Sequence, residues 1–538
     1  MYRVDLKQAI FPAQTREPFK AETIYDLMCR QARQYGSKSA LEEVLPDGSI
    51  GRTWSYRSLH EEAIRLGCAL ASRHPRASRI AIYANNRPEW VLLELAAAYA
   101  GLIVVTVNPS LRATELRYIL EQSGASAIYY APHVRGSDLR ATIDEAVSRI
   151  EGEISLFSIE DERLLFSGSK QGSLRDTTAE DVVQIQYTSG TTGFPKGAQL
   201  HQAGLVASGR AILQRAGVTE ATRSPGLVPL FHTSGCGIMV LGSIACGATL
   251  LLPADFDPNV VLTLFKNECA NFLSGVPTML VAILDAAEHS GANLSGLSGI
   301  MSGGAMVAAE LNKRARRLCG KPIQITYGMT EASPGIAGTW PEDKDEDVSE
   351  TIGQPYPHMD VAIMDRLSGA IAPLDTQGEI CVRGYNVMRE YNQNPKATRE
   401  TIDKSGWLHT GDLGTMDARG YLKITGRVKD MIIRGGENLF PAEIENVLLA
   451  HPDIAEVAVV GVPDNKWGEL VACFMRSASS EQPAAEVLKQ FVRQRLSPQK
   501  TPSYWVWVDE WPLTGSGKIQ KFVLQEQFVS GSFEVHSA

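Results

Sequence analysis

The run Tyr187-Thr-Ser-Gly-Thr-Thr-Gly-Phe-Pro-Lys196-Gly197 constrains this chain more than any other stretch. Its glycines let backbone N–H groups turn toward an anion, its hydroxyls add donors, and Lys196 adds a compact positive charge. Such a loop suits a polyphosphate and points to ATP. It is not the common P-loop, in which the second Gly is followed directly by Lys and then Ser or Thr. Here Phe194-Pro195 separates Gly193 from Lys196, and Gly197 occupies the hydroxyl position. Upstream, Asp181-Val-Val-Gln-Ile-Gln-Tyr187 alternates like a buried strand, so the loop leaves a strand end, where α/β proteins hold phosphates.

At 538 residues the chain is too long for one ordinary core and predicts two or more domains. With 44% apolar and 21% charged residues it reads as a globular protein. A formal charge of -9 gives no reason to expect a nucleic acid or an anionic membrane as partner. The most apolar stretches, Val91 to Val107 and Gly235 to Leu252, are broken by Glu or Gly and predict core elements rather than membrane spans. Eight cysteines lie scattered without a CxxC pair, which argues against a zinc site or disulfide framework. No apolar signal core follows Met1, so the cytoplasm is the expected compartment.

The elements alternate. A helix from Leu59 to about Ser72 precedes a strand at Ile80–Tyr83, a helix at Glu89–Ala100 and a strand at Ile103–Val107, the βαβ order of a parallel sheet. Beyond the loop come a helix at Gln202–Ala216 and strands at Gly226–Pro229, Gly247–Leu252 and Phe272–Gly275. Short strands and turns from Ile352 to Arg383 predict a small β subdomain. After it, a compact α+β tail carries a helix at Pro441–Leu449, strands at Ala455–Gly461 and Leu470–Met475, a polar linker and a last helix at Ala485–Arg495. The predicted fold is α/β: a large N-terminal domain, residues 1–428, of βαβ-type sheets with a small β subdomain, then a small mobile α+β C-terminal domain, residues 429–538.

Three more motifs carry chemistry. Tyr327-Gly328-Met329-Thr330-Glu331 follows the strand Ile323–Thr326 and offers a flat ring for a base, a hydroxyl for a phosphate and a carboxylate for Mg²⁺. Ser302-Gly303-Gly304-Ala305 lets backbone approach a planar ligand closely. Trp407-Leu-His-Thr-Gly-Asp412 sets a carboxylate after a tight turn, able to take both hydroxyls of a ribose. Near the end, Pro512-Leu-Thr-Gly-Ser-Gly-Lys-Ile-Gln-Lys521 puts Lys518 on a Gly-flanked loop, whereas Lys521 reads as solvated.

In this order the motifs resemble the adenylate-forming superfamily of acyl-CoA synthetases, firefly-type luciferases and peptide-synthetase adenylation domains, over roughly residues 50 to 525. The resemblance implies that Thr188, Ser189, Gly190, Thr191, Thr192, Gly193 and Lys196 hold the pyrophosphate end of ATP. It implies adenine packing against Gly303, Gly304, Ala305 and Tyr327, Mg²⁺ near Glu331, and a ribose held by Asp412 and Arg427. Lys518 would lie between an incoming carboxylate and the α-phosphate, offsetting the repulsion of two anions. The family runs two half-reactions, making an acyl-adenylate and then passing the acyl group to a thiol, and its small domain rotates between them. The matching hinge is Lys429, and Gly435 and Gly436 would line the tunnel for the pantetheine of coenzyme A.

Phe231-His232-Thr-Ser-Gly-Cys-Gly237 stands where the family turns to its acyl pocket, and His232 is expected to orient the acid or gate the pocket. Members that take amino acids usually place an Asp nearby for the α-ammonium; this stretch has none, so the expected acid lacks an amine. Small apolar residues at Thr233–Met239 and Met329–Gly338 leave volume for a hydrophobic acid. With no carrier domain in the chain, the acceptor is expected from outside: coenzyme A, or else an acyl-carrier protein. Monomer and homodimer both remain open. So do a member specialised for one half-reaction, a luciferase-like oxygenase, and an ATPase that would release ADP.

Overall fold

The computed structural model describes residues 1–15, 18–188, 195–435, 437–478, 482–514 and 518–536. Its central sheet has six strands in the order Lys196–His201, Val182–Thr188, Ile103–Val107, Arg79–Tyr83, Ala127–Tyr130 and Ser155–Ser158. All neighbours are parallel except the first pair, which folds back on itself across the loop. Between Arg79–Tyr83 and Ile103–Val107 the crossover helix Pro88–Tyr99 opens on a proline, whose missing N–H costs nothing at that position. Every residue of this helix except Glu89 is buried, so it reads as a continuous apolar run rather than an amphipathic one.

A second sheet runs Phe272–Gly275, Gly299–Gly303 and Ile323–Tyr327 in parallel, then adds Ala337–Gly338 and Gln354–Pro355 antiparallel. A third joins Arg223–Pro225, Thr249–Pro253, Ser39–Val44 and Ile50–Ser55. The helix Gln202–Arg215 is capped by His201, whose Nδ1 accepts the Gly204 N–H at 3.1 Å. It lies so close to the π-helix Ser234–Gly242 that a Cβ on Gly209 would sit 2.3 Å from the Gly237 carbonyl oxygen.

The small β region is larger than its sequence texture suggested. It is an antiparallel sheet of Ile10–Phe11, Met359–Met364, Gly378–Gly384, Leu408–Met416 and Leu422–Arg427, one strand of which comes from the start of the chain. Beyond it the chain builds another sheet, from Glu437–Leu439, Ile432–Arg434, Gly468–Ser477, Ile454–Asp464 and Tyr504–Trp507, around its own apolar cores. The architecture is therefore a large N-terminal α/β domain followed by a small α+β domain.

Three local expectations need correction. The strand foreseen at Gly226–Pro229 lies three residues earlier, at Arg223–Pro225. Pro229 has no N–H, and the Asn86 side chain replaces a strand partner: its Nδ2 donates to the Gly226 and Val228 carbonyls at 3.3 and 3.1 Å, and its Oδ1 accepts the Leu230 N–H at 2.8 Å. A helix at Lys521–Val529 was not foreseen, because its apolar residues do not share a face: Leu524 is buried while Phe522 and Val529 are exposed. Lys521, expected in solvent, instead places its ammonium 2.6 Å from the carboxylate of buried Glu445.

Buried His74 sits with Nε2 2.9 Å from the Tyr129 hydroxyl, and burial, reinforced by Arg73 and Arg175, pulls its pKa down to about 4. An unfolded imidazole protonates near 6.5. Between these values the unfolded state binds more protons, so stability falls as pH drops through that window. His60, His201 and His232 are depressed too, so His74→Gln is expected to flatten the fall of Tm between pH 6.5 and 4 rather than abolish it. An unchanged slope in scanning calorimetry would contradict this account.

Candidate active site

The loop that opened the sequence reading leaves the strand Val182–Thr188 and returns as Lys196–His201, with Thr188 and Lys196 paired across the ladder. Ser189, Gly190, Thr191, Thr192 and Gly193 lie outside the described residues. At the loop's base the Thr188 hydroxyl donates to Glu331 Oε1 at 3.1 Å. Glu331 is buried on the single turn Thr330–Ala332 that follows the strand Ile323–Tyr327. The same Oε1 accepts the Tyr391 hydroxyl at 2.7 Å, and the Lys196 ammonium lies 5.1 Å from the centre of the Tyr391 ring. Glu331 Oε2 has no hydrogen-bond partner among the described residues. Sequence reasoning missed Tyr391, since a lone Tyr after Met388-Arg-Glu carries no pattern of its own.

Tyr327, at the end of its strand, donates its hydroxyl to Asp412 Oδ2 at 2.7 Å. Asp412 Oδ1 takes Arg427 Nε at 2.5 Å, the two residues being directly opposed on adjacent strands. Asp412 raises the Arg427 pKa, while burial and Asp412 push the Tyr327 phenol up, so the ring keeps its proton. The tight turn expected before Asp412 is instead a bulge inside the strand Leu408–Met416, where Gly411 adopts φ of 73°; Thr410 Oγ1 accepts the Asp412 N–H at 3.1 Å and Glu379 Oε1 accepts the Gly411 N–H at 2.9 Å. Glu379, Cys381 and His409 bring three donor atoms within 4.8 Å of one another. Both His409 nitrogens already face carboxylates, Glu379 at 3.0 Å and Asp403 at 3.6 Å, and Glu379 raises its pKa; these contacts brace the bulge.

The glycine motif ends the strand that pairs with Ile323–Tyr327, Gly303 lying opposite Thr326. A Cβ on Gly303 would stand 2.3 Å from the Thr326 carbonyl oxygen, and Gly304 adopts φ of 79°. Gly304 and Ala305 are exposed. Gly328 and Met329 connect that strand to buried Thr330. The Lys518 side chain reaches this edge from the C-terminal domain: its Cε lies 3.6 Å from where a Gly304 Cβ would be. Its loop is closed by the Lys518 N–H donating to Thr514 Oγ1 at 3.0 Å and the Thr514 N–H donating to the Lys518 carbonyl at 2.7 Å. Burial and Arg427 lower the Lys518 pKa, while Asp412 and Glu331 raise it; burial wins.

His232 shares this edge. Its Nδ1 accepts the Ser234 N–H at 3.2 Å, which leaves the proton of the neutral ring on Nε2. Burial, with Lys518 adding to it, pulls its pKa down to about 3, so the ring is neutral at ordinary pH. The π-helix Ser234–Gly242 begins two residues on, and its Gly237 faces Leu205 and Pro334. The two small-residue segments thus come together. Behind them lies a carboxyl that the sequence reading overlooked. Glu94 accepts the Gln184 amide at 2.7 Å, and Gln184 Oε1 lies 3.4 Å from Cys236. Complete burial drives the Glu94 pKa well up, so it is a neutral acid and no partner for an ammonium group.

Lys429 is exposed in the turn between the strands Leu422–Arg427 and Ile432–Arg434. Gly435, at φ of 60°, has the Trp467 ring 2.7 Å from where its Cβ would be, while Gly436 lies outside the described residues. Neither Lys429 nor Gly435 meets the strand-end cluster through any described hydrogen bond. Among the described residues no helix is long and apolar enough to cross a membrane.

The AMP-binding enzyme model matches residues 28–392, and the AMP-binding enzyme C-terminal domain matches 443–518. YngI of Bacillus subtilis, an acyl-CoA synthetase by name, is 34% identical over 94% of this chain and 97% of its own. The human mitochondrial medium-chain acyl-CoA ligase ACSF2 is 33% identical over 95% of this chain and 88% of its own. Among solved structures, ATP-bound MatB from Rhodopseudomonas palustris superposes with a TM-score of 0.83 at 26% identity, covering 94% of this chain and 99% of MatB. Apo MatB superposes over the same shares with a TM-score of 0.75.

Asp412→Asn removes the anionic partner of Arg427 while preserving size. If these two residues hold a ribose, calorimetry should show ATP affinity lowered by about 10-fold or more, the weight of a hydrogen bond to a charged group. An unaltered affinity would remove Asp412 from the nucleotide site.

Proposed function

We propose, from the premise that the chain belongs to the AMP-binding enzyme family and is an AMP-forming acyl-CoA synthetase, that it activates a hydrophobic carboxylic acid lacking an amine. ATP and coenzyme A are the co-substrates of such ligases. The observation that carries the reading is the placement of Lys518, with its side-chain carbon against Gly304 and its ammonium within the field of His232, Asp412, Glu331 and Arg427. A half-buried cation at this point lowers the cost of bringing two anions together.

In the first step an acid oxygen attacks the α-phosphorus of ATP, and the bond to pyrophosphate breaks. We assign the pyrophosphate to Thr188, the loop at 189–193 and Lys196, the adenine to the face between Gly303, Gly304, Ala305 and Tyr327, and the ribose to Asp412 and Arg427. Neutral His232, with its proton on Nε2, can donate to the acid and orient it without adding a charge that would compete with Lys518. Glu331 presents one oxygen bound to two hydroxyls and one without a described partner, which fits a hard cation held mainly by phosphate oxygens and water. We assign Mg²⁺ there; it would supply charge neutralisation on the phosphates. In the second step the thiol of coenzyme A attacks the acyl carbon and AMP leaves, with Lys429 as the hinge, near the start of the C-terminal domain, and Gly435 and Gly436 beside the pantetheine.

The acid itself follows from the wall chemistry. Gly235, Gly237, Ile238, Ala332, Gly335, Ile336 and Ala337 are buried and small or apolar, and the one carboxyl behind them is neutral. A medium-chain or compact apolar acid suits such a wall, in keeping with the name of the human relative.

Incubation with ATP, Mg²⁺, coenzyme A and a panel of carboxylic acids should yield pyrophosphate, AMP and an acyl-CoA, fastest with apolar acids. Preference for an amino acid would overturn the substrate reading, and ADP as product would overturn the α-phosphate step. Lys518→Ala should slow adenylation on the order of 10²–10³-fold while leaving thiolation of supplied acyl-AMP nearly intact. Equal loss in both half-reactions would remove Lys518 from the first.

A further inference from the structure

We propose that Tyr391 is a positioning residue for the metal and triphosphate end of the site, acting through Glu331 and Lys196; this rests on the reading above that ATP and Mg²⁺ bind there. The side chain touches both groups at once. Its hydroxyl donates to Glu331 Oε1 at 2.7 Å, and its ring lies 5.1 Å below the Lys196 ammonium. Cation and carboxylate come from separate sheets, and Tyr391 bridges them.

The backbone around Tyr391 is built for this role. Met388 donates its N–H to the Glu331 carbonyl at 2.8 Å, and the Asn392 N–H reaches the Gly197 carbonyl at 2.7 Å. Gln199 and Arg389 complete the seam, with the Gln199 N–H on the Glu390 carbonyl and the Arg389 N–H on the Gln199 carbonyl, each at 2.9 Å. The segment 388–392 thus stitches the strand leaving the phosphate loop to the turn that carries Glu331. Tyr391 is itself 5% exposed, so its ring has little freedom to leave.

The chemistry gives the hydroxyl a definite task. Held in place by burial, it donates to Glu331 Oε1. With Thr188 it occupies Oε1 twice, which fixes the carboxylate plane and leaves Oε2 without a described hydrogen-bond partner. The ring face meanwhile holds Lys196 by cation–π attraction at the point where the loop returns.

Two variants separate the contacts. Tyr391→Phe keeps the ring under Lys196 and deletes only the bond to Glu331; Tyr391→Leu removes both. ATP binding is read by calorimetry at graded Mg²⁺ with no acid present, so no turnover is needed. For Tyr391→Phe the Mg²⁺ concentration giving half-maximal ATP binding should rise about 10-fold, with Mg²⁺-free binding unchanged. Tyr391→Leu should in addition weaken Mg²⁺-free ATP binding several-fold. Both should thiolate supplied acyl-AMP at the wild-type rate, a readout that a merely structural role would depress as well. An unchanged Mg²⁺ dependence in Tyr391→Phe, or equal losses at every Mg²⁺ level and in thiolation, would overturn the proposal while leaving the ligase reading intact. Failure of the wild-type protein to bind ATP would sink both.

Discussion

The carboxylate of Asp412 is the joint on which the site depends. It takes a phenol from the end of one sheet at 2.7 Å and a guanidinium from the neighbouring strand of another at 2.5 Å, and its field reaches Lys518 on the C-terminal domain. A buried carboxylate is costly unless paired and hydrogen-bonded, so Tyr327 and Arg427 have few alternative positions once Asp412 is placed. The strand bulge that places it is braced in its own right, through Glu379 on the Gly411 N–H and Thr410 on the Asp412 N–H. A ribose-sized ligand at this point would meet groups already oriented.

Around that joint, burial assigns protonation states. His232 and Glu94 are neutral for the same reason, desolvation, although one is a base and the other an acid. Tyr327 and Tyr391 are kept as donors by burial and by the carboxylates they bind. The charged side chains gathered here are Glu331, Asp412, Arg427, Lys196 and Lys518, of which Asp412 and Arg427 pair directly with each other. Gly235, Gly237, Ile238, Gly335, Ile336 and Ala337 carry no charge, which on the proposed reading sets the acyl end apart from the phosphate end.

Much of this was readable before the fold was known, but unevenly. Loop, strand and turn chemistry is local: Val182–Thr188, Pro88–Tyr99 and Pro441–Leu449 follow from runs of apolar residues, β-branching and prolines at helix starts, and the structure has them close to where they were expected. Where a nonlocal group replaces a local one, the reading slips. Asn86 takes over the hydrogen bonds of Gly226 to Leu230 and moves the strand, and Glu445 draws Lys521 out of solvent. Tyr391 and Glu94 were invisible for a related reason. Each matters through what it touches, and no spacing announces a partner 60 or 90 residues away.

The sequence by itself determined the chemical inventory: a hydroxyl- and glycine-rich loop with one lysine, one carboxylate after a strand-end motif and another after Thr410-Gly411, and a lysine on a glycine-flanked loop near the chain's end. Composition and spacing suffice there, because phosphate recognition needs donors and flexible backbone in one short stretch. Only the tertiary structure decided which of these groups meet, which are charged and which hydroxyl holds which carboxylate. Those outcomes depend on distance and burial, which are set by the packing of strands far apart in the chain.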